Sequence, residues 1–317
     1  MHRKDIKLIR AVLPAHETFH YFPDREAVWL LAQWMPEAAP VRELRQTSFG
    51  RLLERPSVRP LVAKSGGILR RPEVLALARG DWRKDGVAEI AWGQGARFFD
   101  RTLAPWGTGK NDYGWAQISR PGGNLVLQVN FPAEHQALFH HHLPREARKD
   151  LELPLHPVQR TGLPTMAWVR MDICLQTGTA LIEEVQSDWF RTLSWRIEAL
   201  RRAKTRRREM RTFADYQSRV LTTYGKDWPR ATMLAALILL REELGIRDVW
   251  MHQAWSGPVL KIIPGTPPPV SLYTALPKAF CFEPTIDPPP FLLAPARKNL
   301  RRLRRDKRPE FWRLRFS

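Results

Sequence analysis

The sequence predicts an α/β fold built on a twisted mixed sheet, and three observations carry that expectation. Apolar runs with β-strand character stand at 125–131, 166–174 and 180–185, bounded by glycine-rich turns at 121–124 and 176–178. Residues 230–244, RATMLAALILLREEL, are apolar nearly all round until the last turn, the pattern of a buried helix rather than a surface one. Strands followed by helices and then by a further strand-like run at 247–255, RDVWMHQAW, complete the pattern.

Taken in order, residues 1–85 read as a mainly helical module. Segments 26–34 and 74–79 have helical composition, and FGRLLERPSVRPLVAKSGG reads as short helices broken at Pro56, Pro60 and Gly66-Gly67. An α/β core over 86–290 follows, with further strand-like runs at 87–92 and 115–119. A basic helical insertion at 190–228 interrupts it, and Gly245 is placed to end the buried helix. A proline-rich loop then leads to Ser271-Leu272-Tyr273 and the run 279–282. Prolines 288–290 mark an exit, and 291–317 reads as a basic tail in which Phe311, Trp312 and Phe316 are available to stack or dock.

The 317 residues, 44% of them hydrophobic, can bury a large core, and the length suggests roughly two domains. No apolar run approaches the ~20 residues of a membrane helix. The start MHRKDIKLIR lacks the apolar stretch of a secretory signal, so the expectation is a cytoplasmic protein without membrane partners. Cys174 and Cys281 sit in apolar contexts that favour buried thiols over a disulfide. His140, His141 and His142 are sequence neighbours that cannot converge easily on one ion, which predicts a surface loop and no metal site.

The net charge of +19 is concentrated. Residues 191–219 hold ten Lys/Arg against three Asp/Glu and residues 297–317 hold ten against two, so fifteen of the nineteen charges lie in two segments. Their cations include Arg201, Arg202, Lys204, Arg206, Arg207, Arg208 and Arg211 in the first, and Arg297, Lys298, Arg301, Arg302, Arg304 and Arg305 in the second. Solvated helix faces usually mix signs, whereas these runs are one-signed and predict a polyanionic partner. RNA or DNA is the leading one, because counterion release gives affinity without a base-reading motif. An acidic protein satisfies the same charge.

The stretch LIEEVQSDW (181–189) sets carboxylates inside an otherwise buried strand, where each must find a partner, neutralise or open onto water. Strand alternation projects Glu184, Gln186 and Asp188 together, with Glu183 pointing alongside Leu181 and Val185. Two readings follow: a salt-bridged strand pair with Arg170 and Asp172 across the turn at Thr177-Gly178, or a functional cleft. Tyr273 and His252 divide the same way, between core residues with satisfied polar atoms and groups sharing a ligand with Glu184. Trp189, Trp195, Trp228, Trp250 and Trp255 cluster around that proposed cleft, as core or as an aromatic floor.

The strand ending E-x-Q-S-D-W resembles an uncharacterised domain of phage and mobile-element polyvalent proteins. Pro121 to Asn124, Trp168, Arg170 and Gly245 to Trp250 extend the resemblance over about residues 107–255. That family implies no activity. A second resemblance is to the GNAT acyltransferases, in the order strand 180–188, helix after GKDWPRATMLAAL, strand 247–255 and PVSLYTALPKAFCF. It implies a GNAT-like sheet, acyl-CoA as donor, Glu184 as base and Tyr273 as the acid for the departing thiolate. Trp228 and Pro229 stand where that family has glycines, leaving Lys226 and Arg230 to hold the cofactor phosphates by charge. The functional expectation is a nucleic-acid-associated protein with an acidic cleft, acting as a group-transfer enzyme or as a non-catalytic binding or assembly protein.

Overall fold

The structure, a computed structural model, describes residues 1–79, 96–108, 116–143, 148, 151, 156–158, 162–203, 207–263, 270–303 and 310–316. In chain order the first part runs α1 (Arg3–Val12), β1 (His16–Tyr21), α2 (Arg25–Trp34), β2 (Ala38–Pro40), α3 (Val41–Leu44), α4 (Arg59–Lys64), β3 (Ile68–Arg70) and α5 (Arg71–Arg79). There follow β4 (Arg97–Trp106), β5 (Asn124–Asn130), α6 (Ala133–His142), β6 (Thr165–Cys174), β7 (Thr179–Gln186), α7 (Asp188–Ala203), α8 (Arg207–Val220) and α9 (Trp228–Ile238). The last part is β8 (Asp248–His252), α10 (Ser256–Lys261), α11 (Val270–Ala279), β9 (Glu283–Thr285), α12 (Arg297–Leu303) and β10 (Phe311–Arg315).

Eight strands form one mixed sheet in the order β1-β4-β5-β6-β7-β8-β10-β9. Every neighbouring pair is antiparallel except β7 and β8, which run parallel. A parallel pair requires a long crossover, and α7, α8 and α9 supply it, so the basic insertion is part of this connection. Gly178 (φ 62°) closes the tight turn between β6 and β7, and Gly245 (φ 66°) ends the α9 segment in the left-handed region that suits glycine.

Alternation sorts the sheet into two faces. Val169, Met171, Ile173, Ala180, Ile182, Val249 and Met251 join the main core with α9, whose Leu234, Ala235 and Leu237 are fully buried. On the opposite face Leu181, Trp250 and Phe311 pack with Leu260 of α10 and with Leu300 and Leu303 of α12. Leu237 has no exposed surface, so Leu237→Ala is expected to cost about 2–5 kcal/mol in urea unfolding, while the half-buried Arg241→Ala costs much less. Equal small losses would refute the buried-helix assignment.

Several expectations change. The N-terminal 85 residues are largely helical, but β1 is an edge strand of the main sheet and α2 shares its core, so the described part of this segment is no separate module. The described part of 291–317 is no free tail: α12 lays Leu300 and Leu303 on the sheet, and β10 inserts between β8 and β9. Phe311, Trp312 and Phe316 are therefore buried and unavailable to dock. Residues 116–119 are irregular rather than a strand, His140 to His142 end α6 rather than forming a loop, and Ala279 ends α11 with 280–282 in the turn beyond it. The strand expected at 87–92 and Trp115 lie outside the described residues. Cys174 and Cys281 are free thiols.

Candidate functional site

β7 departs from regular alternation at the residues singled out by charge. Arg170 pairs with Glu184 and Met171 with Ile182, so Glu183 is one extra residue on β7, a β-bulge. The bulge turns Glu183 and Glu184 to the same face, where Ser119, His252, Arg170 and Lys261 wait, and leaves Val185 in the main core. Glu183 therefore shares a face with Glu184 and Leu181 but not with Val185, a correction to simple alternation.

Each acid is closed by partners. Glu183 accepts the Ser119 backbone N–H at 3.0 Å and the Ser119 hydroxyl at 2.7 Å, and its Oε2 lies 3.0 Å from His252 Nε2. Burial pushes its carboxyl up, yet the His252 and Ser119 bonds and the Lys261 ammonium prevail and hold it at about 2. Glu184 bonds the Arg170 guanidinium, and Lys261 Nζ stands 4.0 Å away, so its carboxyl too is held low against burial. Arg170 also donates to the Ala116 and Gln117 carbonyls, which explains why residues 116–119 lie across this face. Burial pushes both His252 and Lys261 down, against the Glu183 carboxylate that pulls the ring up and the Glu184 carboxylate that pulls the ammonium up.

The other expected residues divide. Tyr273 is buried with its hydroxyl against the Val185 backbone N–H; burial, then the Glu184 carboxylate, push its pKa far up. Arg230 is occupied by Asp24 at 3.2 Å and Glu26 at 2.8 Å, so the start of α9 faces carboxylates rather than an open phosphate site. Lys226, exposed just before α9, is not brought to Glu184 by any described contact. Gln186 and Asp188 continue the polar row but join a second cluster. Asp188 is buried and takes the Trp168 indole N–H at 2.9 Å, Arg191 at 2.6 Å, the Gln186 amide and His156 Nδ1 at 2.7 Å. Its carboxyl is held low because these donors, His156 first, outweigh burial. Sequence reasoning missed Lys261, Ser119 and His156; none stands in a motif, and only the fold brings them to β7 and its end.

The basic segments are exposed where described. Arg201, Arg202, Arg208 and Arg211 project from the α7–α8 hairpin, and Arg297, Lys298, Arg301 and Arg302 from α12. Lys204, Arg206, Arg304 and Arg305 lie outside the described residues, and of Arg207 only its place in α8 is described. The hairpin is anchored by Trp189, Leu193, Ile197, Phe213 and Tyr216 in the main core, whereas α12 packs on the opposite face. Among the five tryptophans expected around the cleft, Trp189 and Trp250 are buried, Trp228 and Trp255 half-buried, and Trp195 is 61% exposed on α7 with the Arg191 guanidinium 5.0 Å from its ring centre. Among the described residues no cluster of three metal-ligating side chains occurs, and no helix is long and apolar enough to cross a membrane. No family model matches the chain, and no curated protein or solved structure matches it.

Proposed function

We propose that the protein binds single-stranded nucleic acid along the α7–α8 hairpin. The observation that carries this reading is an exposed tryptophan, Trp195, set under Arg191 on a helix whose far end presents Arg201 and Arg202. An unburied indole beside an excess of cations, in which Glu198 pairs with Arg202 at 3.2 Å, is the arrangement by which bases stack while phosphates are neutralised. The charge on α12 lies on the other face of the sheet and adds long-range attraction rather than a continuation of the same groove.

Fluorescence anisotropy with a labelled single-stranded oligonucleotide over a salt series tests the reading. Trp195→Ala is expected to weaken binding by about 1–3 kcal/mol with little change in salt slope. Replacing Arg201, Arg202, Arg208 and Arg211 with Ala is expected to flatten the slope by up to ~3, at about 0.7 per phosphate contact. Unchanged affinity and slope in both variants would refute it.

A group-transfer reading keeps one specific observation in its favour. The register of β7 with β8 ends at Ile182 and Met251, the bulge follows, and the Tyr273 hydroxyl lies against the Val185 N–H at that parting. Glu184, however, is held by Arg170 and Lys261, and Arg230 by two carboxylates, which weighs against Glu184 as a free base and Arg230 as a phosphate ligand. Coenzyme A at millimolar concentration raises the melting temperature if the cofactor binds the folded chain. No shift leaves the nucleic-acid reading alone.

A further inference from the structure

We propose that His156, oriented by Asp188, is a general base that takes the 2′-hydroxyl proton of RNA bound along α7, so that the protein cleaves RNA by internal transesterification. This rests on the nucleic-acid reading above and names the substrate of that same surface.

The argument begins with the tautomer. His156 Nδ1 lies 2.7 Å from Asp188 Oδ2, a separation that requires a proton between them, and a carboxylate at physiological pH cannot supply it. The proton is on Nδ1, so in the neutral form of the ring the lone pair is on Nε2. The Gln186 amide, 3.2 Å from Nδ1, gives its N–H to Asp188 Oδ1 instead. Among the described residues the contacts of the ring nitrogens are at Nδ1, none is at Nε2, and the side chain is 31% exposed. Asp188 is saturated with donors from Trp168, Arg191, Gln186 and His156 and is itself no base; it positions the imidazole and stabilises the imidazolium when a proton arrives.

The substrate class follows from α7. Asp188, Arg191, Trp195 and Arg202 fall at helical spacings that place them along one side of α7. His156 and Arg191 hold opposite oxygens of the same carboxylate, and Arg191 in turn covers Trp195, about 10 Å along the axis from Asp188. One stripe thus offers a base, a cation for a phosphate and a plate for a nucleobase. A base beside a bound sugar-phosphate chain has an ionisable hydroxyl to act on only in RNA. Nε2 takes the 2′-hydroxyl proton, the O2′ electron pair forms a bond to the adjacent phosphorus, the phosphorus–O5′ bond breaks, and the 5′ oxygen leaves with a proton from water or from the imidazolium. The products are a 2′,3′-cyclic phosphate and a 5′-hydroxyl, with no co-reactant consumed.

A 5′-labelled single-stranded RNA and the DNA of the same sequence test the step, with anisotropy read on each sample beside the cleavage gel. The expected result is binding of both, cleavage of RNA only, and fragments ending in cyclic phosphate. H156A should bind as tightly, remain folded with a lower melting temperature because the buried Asp188 loses a donor, and cleave at least ~100-fold more slowly, with free imidazole restoring part of the rate. D188N, in the positioning residue, should lower kcat with little change in KM. RNA that is bound but intact overturns this inference and leaves the binding reading standing. Cleavage by H156A at the wild-type rate also overturns it, while RNA that is not bound at all overturns both.

Discussion

Arg170→Ala is expected to lower the unfolding free energy by about 3–5 kcal/mol, the usual cost of removing one partner from a buried ion pair. The side chain is 1% exposed, bridges Glu184 to the Ala116 and Gln117 carbonyls, and lies over the Trp106 and Trp168 rings at 5.4 and 5.9 Å. Its loss strands a buried carboxylate with Lys261 as the remaining nearby cation and two carbonyls without their donor. Removing Glu184 as well should recover part of the deficit, because the stranded charge goes with it. Urea unfolding of the two single variants and the double variant measures the coupling. Additive losses would show that Glu184 does not depend on Arg170 and would reopen it as a free base.

Acid should destabilise the fold well above the carboxylate range, through His135. The ring is 2% exposed, stacks on Phe131 with centroids 3.6 Å apart, shares a hydrogen bond with Tyr216 at 2.9 Å, and is pushed by burial to a pKa of about 3. An unfolded histidine titrates near 6.5. Between these values the unfolded chain binds a proton that the folded chain refuses, so stability is complete above about pH 7 and falls with pH until the folded group titrates. Stability should therefore drop by about 2.5 kcal/mol from pH 7 to 4.5 on this account, at about 1.4 kcal/mol per unit at the steepest. His20, held at about 4 by burial and by Arg25, acts in the same direction. His135→Phe keeps the aromatic stack and should flatten the profile by His135's share. A profile as steep as the wild type would place the acid sensitivity elsewhere.

The parts of the fold that were legible in the sequence are those whose burial alone determines them. β5, β6, β7 and the largely apolar α9 follow from composition and period, and the β6–β7 hairpin follows from Gly178. β10 was hidden by its charge: Phe311, Trp312 and Leu314 carry strand character, but Arg313 and Arg315 read as part of a basic run until Asp248 appears beside both. The candidate site was half legible. The carboxylates of 183–188 announced that partners must exist, and Arg170 stood at the right distance across a hairpin. The bulge that brings Glu184 onto the face of Glu183 and Leu181, and the arrival of Lys261, Ser119 and His156, depend on long-range packing, which leaves no local pattern to read.

The place of β10 also governs the order in which the molecule can be assembled. β8 is flanked on one side by β7 and on the other by residues 311–315, and the Trp34 indole bonds the Arg315 carbonyl across 281 positions of sequence. While the chain is being made, β8 emerges long before its second neighbour and presents an open ladder of backbone donors and acceptors. Contacts of such long range are slow to form because loop closure precedes their reward. The nascent chain thus passes through a stage with a sticky interior edge, which closes only when 311–315 dock beside β8.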